Sequence, residues 1–482
     1  VLVVNIHVFS ILLLVFIFKD VIRIRDNKIR LINLAVLTAT IEIFIEVGNF
    51  IEISEILISY STIMEVLILG YSIIVLIKEK RVKSKTMILA ALIFGVVSLG
   101  ICGLILNPEN IMGATSEITW DDIMRGESLQ KIQFNTYVIK QAIQLFIFII
   151  VIMTIYSFFD KEDYKEVLKK FTKNVKIMLV FGLIEFIIKY IFNSNVFNNF
   201  CEIIFGTTTQ AYTEITSRGS GYVLQGFTKE ASHYAYVLMI SIISLYAMNK
   251  MTGKEKKWII LAIILMIASM SFSCYWFLGG ILLIYIIQWT KKSDNVGRII
   301  KWTLLIIGLI LIIHSILANI STIYNKLEAT GFIQRRIKSL IEEIELITSG
   351  RWLYNQNSLE WSNRVRLGSS YETIKLLKYK PLFGVGISAA TSHGSTTMLL
   401  SGIGIIGTYL WTKLSFYASN LSIQNKKYYT LGVIVFLIIN LLNSMWLRPF
   451  YELSVLIWMI SLNIIFSNYD KQDKEKREKI EL

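Results

Sequence analysis

Residues 136–158 read TYVIKQAIQLFIFIIVIMTIYSF, an apolar run interrupted by one charge, Lys140. A helix that crosses roughly 30 Å of hydrocarbon needs about 20 predominantly apolar residues, and inside lipid it must satisfy its own backbone. The run therefore reads as a transmembrane helix. Similar runs recur along the chain, joined for the most part by short charged connections. Thirteen spans are expected, near 1–18, 31–52, 56–77, 87–106, 136–158, 176–193, 231–248, 258–272, 275–289, 302–319, 396–414, 429–445 and 450–467. Two pairs with very short connections could each be one broken helix, so the count lies between twelve and fourteen. The first run has neither a basic leading segment nor a small-residue cleavage site and reads as a span rather than a removed signal.

Composition points the same way. The 482 residues are 54% hydrophobic and 17% charged, with three prolines and a mean hydropathy of +0.58, outside the usual range of a soluble chain. The expected fold is an all-α polytopic membrane protein, a single transmembrane domain over 1–482. No internal repeat or Gly/Ser-rich linker marks off a soluble domain.

Orientation follows from Lys and Arg, which short loops retain on the cytoplasmic side. Alternate connections carry Lys19, Arg23, Arg25, Lys28 and Arg30, then Lys78, Lys80, Arg81, Lys83 and Lys85, then Lys161, Lys165, Lys169, Lys170 and Lys173. The pattern continues with Lys250, Lys254, Lys256, Lys257, Lys291, Lys292, Arg298, Lys426 and Lys427 and the charged tail 468–482. These are assigned to the cytoplasm. The long segments 107–135, 194–230 and 320–395 then face outward. The formal charge of +14 is an orientation signal, and no nucleic-acid partner is expected. Cys102, Cys201 and Cys274 have no metal-ligand or pairing spacing and read as packing residues.

The large outer segment 320–395 is patterned as partly helical. Ile333, Ile337, Leu340, Ile341, Ile344 and Ile347 recur at helical spacing. After SGRW, a second helix is expected in which Leu367, Tyr371, Ile374 and Leu377 share one face, until Pro381, Gly384 and Gly386 end it. Arg364 and Arg366 fall near its start, where guanidinium groups and unpaired backbone donors both suit phosphate oxygens. The segment 194–230 places Arg218 among glycines and Glu230 just before a span. Each arginine, taken alone, also fits a plain surface charge or a lipid-headgroup contact.

The order of these features resembles the O-antigen polymerase and O-antigen ligase superfamily, the Wzy-type polysaccharide polymerases among them. RLGSSYETIKLLKYKPLFGVG supplies Arg366 and the turn Pro381, Gly384, Gly386; HGSTTMLLSGIGIIG supplies His393 and, nine residues beyond Gly394, Gly404 and Gly407. Gly394 stands where the ligase form of the motif has Asn, Ser or Gln. GFTKEASHYAYVL is similar to the Glu-Pro-Ser segment of the polymerases, with Ala231 in place of proline, and SMSFSCYWFLGGILL is similar to their Ser-rich break between close spans. The resemblance covers about 214–410; the first 200 residues match only in hydropathy.

The resemblance implies a GT-C-like glycosyltransferase architecture in a bacterial cytoplasmic membrane, acting on its outer face. It implies transfer of a glycan from undecaprenyl diphosphate to a sugar hydroxyl of another lipid-linked repeat unit, without metal or other cofactor. A flippase and a chain-length regulator would be partner proteins. Such chemistry needs the two sugars held in line, the developing phosphate charge stabilised, and one proton removed. Arg218 and Arg366 are the leading pyrophosphate ligands, with Arg364 behind them. His393 is the leading base, Glu230 its rival and His233 a third candidate. Gly402, Gly404 and Gly407 read first as close-contact residues of a helix interface.

Polymerase is favoured over a ligase-type transferase by the Glu230 segment, the Ser-rich break and Gly394. A lipid-linked oligosaccharide flippase or other transporter is the alternative from a different class. Its support is charge within spans, at Glu42 and Glu46, which share a face of one helix, and at Glu65 and Lys140, each costing roughly 2.5–3.5 kcal/mol at a helix centre unless a cavity or partner receives it; Glu185 and Lys189, at i and i+4, could simply pair with each other.

Overall fold

The structure, a computed structural model, describes residues 4–46, 48–53, 56–80, 82–106, 110–124, 127–192, 194, 196–205, 217–218, 221–222, 224–269, 271–291, 361–419, 426–441 and 452–467, together with 342, 345, 346 and 349. The described residues are mostly helical. In chain order the helices are α1 (Val8–Ile17), α2 (Asn27–Phe44), α3 (Tyr60–Glu79), α4 (Ser84–Leu106), α5 (Trp120–Met124), α6 (Thr136–Phe158), α7 (Lys161–Phe186) and α8 (Val196–Phe205). They continue with α9 (Ala231–Thr252), α10 (Lys256–Ala268), α11 (Phe272–Lys291), α12 (Trp361–Lys375), α13 (Ser395–Thr412), α14 (Lys426–Ile439) and α15 (Ser454–Phe466). By length and composition, α3, α4, α6 and α9 are able to cross a membrane. Among the described residues, helix falls within every expected span but 302–319, which lies outside them; of the helix expected near 333–347 only 342, 345 and 346 are described, and these are helical.

Three local departures from the expected pattern have physical causes. Small sheets accompany the helices, so the fold is not purely α. β1 (Val4–Ile6), β2 (Asn49–Ile53) and β3 (Ile56–Ser59) form one antiparallel sheet in that order, pairing Ile6 with Ile51 and Ile51 with Ile58. Ile51, Ile53, Ile56 and Ile58 are β-branched and alternate with other side chains, a strand pattern that average hydropathy hides. The apolar runs expected to reach 52 and to start at 56 therefore give up their ends to the sheet. Two further pairs are β4 (Met112–Gly113) with β5 (Gln130–Lys131), and β6 (Ser217–Arg218) with β7 (Gly221–Tyr222).

Secondly, the basic stretch 161–173 is not a loop but the first half of α7. Asp160 caps it in a capping box with Asp163, and Val167, Leu168, Phe171 and Val175 bury one stripe. Thirdly, the expected apolar face of α12 is turned outward: Tyr371 and Ile374 are 38% and 39% exposed, while Ser369, Ser370 and Thr373 are buried. Of the cysteines, Cys201 and Cys274 are buried and Cys102 is exposed.

α9 and α15 make the centre of the bundle. In the most apolar 18-residue window of α9, 94% of residues are buried, and every residue of α15 is buried. Their serine hydroxyls turn back on their own helices: Ser241 donates to the Val237 carbonyl at 2.8 Å and Ser461 to Ile457 at 2.7 Å. α2, α7, α10 and α11 pack around α9, and α14 completes the surroundings of α15.

α13 is interrupted. Gly404 has φ +68° and ψ −175°, which breaks the ladder of helical hydrogen bonds. The segment 381–386 repairs it. Val385 and Gly386 donate their N–H groups to the carbonyls of Ser401 and Gly402 (2.8 and 3.2 Å), while Ile405 and Ile406 donate to Pro381 and Leu382 (2.9 and 3.2 Å). This approach is backbone on backbone. A Cβ on Gly384 would lie 2.5 Å from the Gly402 carbonyl, and one on Gly404 would lie 2.3 Å from the Leu382 oxygen. α4 closes the other side, where Gly100 admits the Phe383 carbonyl and Lys380 donates to the Gly103 carbonyl at 2.7 Å. The turn glycines and Gly404 are thus one construction, while Gly407 packs on Ile403 of its own helix.

The basic connections meet at one end of the bundle. Lys28 bridges Asp160 and Asp163 at 2.8 and 2.7 Å, Lys170 donates to Asn33, and Lys250 donates to the carbonyls of Ile465 and Ser467 at the end of α15. The segments assigned outward meet at the other.

The Lys28 hydrogen bond, joined by backbone donors at Asp163 and Glu162, holds the Asp160 carboxyl down to about 2; hydrogen bonding to Asp160 and then Asp163 raises the Lys28 ammonium above its ordinary value. A depressed carboxyl stabilises the fold above its unfolded value, and that contribution disappears as pH falls through the folded one; a raised ammonium contributes below its unfolded value and loses it on the alkaline side. Lys28→Met is therefore expected to lower the thermal midpoint by a small, constant amount between about pH 5 and pH 9, as for other screened surface pairs. The difference should shrink below about pH 4. Thermal denaturation in detergent across that range checks it.

Candidate active site

The end opposite the basic connections is built from hydroxyls. Ser369 of α12 donates to the Arg366 carbonyl at 3.1 Å, accepts the His393 N–H at 3.2 Å and lies 3.4 Å from His393 Nδ1. One turn on, Thr373 donates to the Thr391 carbonyl at 3.1 Å, and Ser370 donates to the Leu441 carbonyl at 2.9 Å. Trp120 Nε1 also donates to Thr391, at 2.7 Å. Around it Ala114, Trp120, Ile123 and Val365 form a small separate apolar cluster that seats the 111–124 segment on α12. Ser369 thereby holds His393 at the mouth of α13, with the neighbouring Thr391 carbonyl bonded by Thr373 and Trp120.

Gly394 follows as the N-cap of α13. A Cβ there would lie 1.8 Å from the Leu441 carbonyl, so the side chain that the ligase motif carries has no room. That departure from the motif has a steric cause in this chain.

Arg366 points from α12 to the start of α9. Its Nη2 donates to Ser232 Oγ at 3.1 Å and lies 3.7 Å from Glu230 Oε2, and Ser232 in turn donates to Glu230 at 2.8 Å. Arg366 is 15% and Glu230 28% exposed, so the pair is reachable yet shielded. Through Ser369 the same turn of α12 connects this pair to His393. The structure therefore gathers Arg366, Glu230 and His393, three residues singled out by sequence, around one element. Arg364 lies on α12, but its side chain is outside the described residues, as is that of Arg218, placed only by backbone in the β6–β7 pair.

Three buried carboxylates hold the backbone of this end. Glu185 pairs with Lys189 at 2.7 Å, both side chains fully buried, and its oxygens accept the N–H groups of Gln225 and Gly226 at 3.0 and 2.8 Å. Glu46, just past the end of α2, accepts the Lys229 N–H at 3.1 Å and meets His233 Nδ1 at 2.7 Å. Glu42 accepts the Leu453 N–H at 2.8 Å, at the start of α15, where a helix N-terminus favours negative charge. Glu42 and Glu46, expected on one face of one helix, thus serve two different neighbours. Lys140 lies exposed near the start of α6. The role of Glu46 and of the Ser369–Thr373 face was not singled out beforehand; small hydroxyls three and four apart in an otherwise apolar chain were the available signal.

Comparison of the chain with protein-family models, with curated proteins and with solved structures finds no match.

Two substitutions test this construction. Glu185→Ala leaves Lys189 buried without its partner and frees two backbone donors, and is expected to cost about 3–5 kcal/mol, read as loss of monodisperse protein in detergent. Gly394→Ser forces a side chain onto the Leu441 carbonyl and should lower the thermal midpoint by several degrees, an effect of about 2 kcal/mol or more. Gly70→Ala, where nothing lies within 4 Å, should be neutral or slightly stabilising.

Proposed function

We propose that this protein is a polysaccharide repeat-unit polymerase, a multi-pass glycosyltransferase of the bacterial cytoplasmic membrane with its site on the outer face. It transfers a glycan from undecaprenyl diphosphate to a sugar hydroxyl on a second lipid-linked unit. The observation that carries the reading is the shielded Arg366–Glu230 pair, set on the turn of α12 whose Ser369 bonds the Arg366 backbone carbonyl and meets His393. The Arg366 guanidinium, a planar fork of N–H donors, is directed at Ser232 and Glu230, and a diphosphate that leaves as an anion needs a partner of that kind. Arg218 and Arg364 are the further phosphate ligands of this scheme. Metal-independent chemistry suits it, since a polyprenyl diphosphate is already a competent leaving group. The basic end, on this reading, faces the cytoplasm, and a flippase and a chain-length regulator act beside it.

A second reading, a flippase or other transporter, draws on the interruption of α13 at Gly404, because discontinuous helices line the sites of many transporters. Here the broken backbone is answered by residues 381–386, leaving those groups engaged rather than offered to a substrate.

Purified protein incubated with lipid-linked repeat units should give a ladder of products. Arg366→Ala should reduce ladder formation about 100-fold or more while the thermal midpoint stays near the parent's, and Arg366→Lys should recover only part of it, since lysine cannot bind bidentately. Unchanged chain length in Arg366→Ala would remove the phosphate-binding role. Transport of intact lipid-linked units with no new glycosidic bond would favour the second reading.

A further inference from the structure

The transferase reading leaves open which group takes the acceptor proton. Glu230, one candidate, is already engaged by Ser232 and Arg366. His393, another, faces the hydroxyl of Ser369. His233 is set differently. Its Nδ1 lies 2.7 Å from Glu46 Oε2, with side-chain exposures of 5% and 13%, and its Nε2 makes no hydrogen bond among the described residues.

Glu46 is held for this contact. It stands in the connection beyond α2, where its N–H donates to the Phe227 carbonyl at 3.1 Å and its carboxylate accepts the Lys229 N–H. The two residues are therefore tied to the segment 227–229 by backbone as well as by side chain, immediately before α9. The N-terminus of α9 and the Lys229 donor both favour the anionic carboxylate. A carboxylate has only acceptors, so the imidazole must present its proton on Nδ1, and the lone pair stands on Nε2. His233 also adjoins the phosphate end of the site: Ser232 and Glu230, which hold Arg366, directly precede it.

Resting on the transferase reading, we infer that His233 is the general base of the reaction and that Glu46 is the positioning residue that fixes its tautomer. The acceptor hydroxyl oxygen forms the new bond to the anomeric carbon as the bond from that carbon to the diphosphate oxygen breaks. The hydroxyl proton passes to His233 Nε2, the bond electrons leave with the diphosphate beside Arg366, and the imidazolium then returns the proton to solvent. No oxidant, metal or further reactant enters. Glu46 gains its function from the imidazole it orients, as the carboxylate of a Ser-His-Asp triad does.

Two measurements test this, one of them independent of activity. In protein whose other histidines, His7, His314 and His393, are replaced by glutamine, ¹⁵N NMR in detergent micelles should show neutral His233 protonated on Nδ1. Glu46→Gln should shift it toward the Nε2-protonated form. An unchanged tautomer in Glu46→Gln, or Nε2–H in the parent, overturns the pair. In the ladder reaction, with the other histidines intact, His233→Gln should lower kcat about 100-fold or more, and Glu46→Gln about 10-fold or more, each with little change in KM for the lipid-linked unit. Thermal midpoints of both variants confirm that they are folded. Full turnover in a folded His233→Gln variant overturns the inference while leaving the transferase reading in place. Absence of any ladder from the parent protein sinks the transferase reading instead, and the role of His233 as base with it, whereas the NMR result still decides the tautomer.

Discussion

A backbone amide or carbonyl surrounded by hydrocarbon must find its partner within the protein, because an unmet group there costs several kcal/mol. The helix α13 breaks at Gly404 and still obeys this rule, since the segment 381–386 supplies both donors and acceptors at the gap. The arrangement works only without side chains at the contact, which is why Gly384, Gly402 and Gly404 face one another and Gly100 of α4 lies behind them. Everything at the candidate site is downstream of it. The turn 380–386 sets where α12 ends and where the chain climbs back to His393.

The same rule, applied to charge, organises the start of α9. Burying carboxylates is expensive unless each acquires donors. Glu185, Glu46 and Glu42 acquire theirs from the chain itself: Gln225, Gly226, Lys229 and Leu453 give backbone N–H groups. The segment 224–230 is thus fastened at both ends by acids from two other helical regions. Arg366 arrives on a backbone already positioned. Glu42 and Glu46, which favoured a transporter from sequence, thus have a structural occupation as well, and Glu46 also meets His233.

Apolar runs in the sequence pointed to helices because bilayer thickness sets the apolar length a span requires, and the family resemblance grouped Arg366 with the turn and His393. Patterning did not locate the sheet β1–β2–β3, whose isoleucines are as apolar as a span. It also misjudged which face of α12 matters. Tyr371 and Ile374 point out while Ser369, Ser370 and Thr373 point in, where each hydroxyl meets a backbone carbonyl. The Glu46–His233 contact joins residues far apart in sequence, and no local pattern announces it. Gly394 was legible as a departure from a motif, but its cause, the Leu441 carbonyl, belongs to another helix end.

Burial of α9 on all sides bears on how the protein is made. Of the four long apolar helices it is the least apolar, with a mean hydropathy of 1.4 against 2.0 to 2.7 for the others, and it has no side suited to lipid. Of its neighbours, α7 precedes it with the short α8 between and α10 follows directly, but α15, which covers another side, is synthesised much later. Until α15 is made, α9 lacks one of the elements that bury it, and Ser241 and Ser244 meet that interval with hydroxyls already bonded to carbonyls of their own helix.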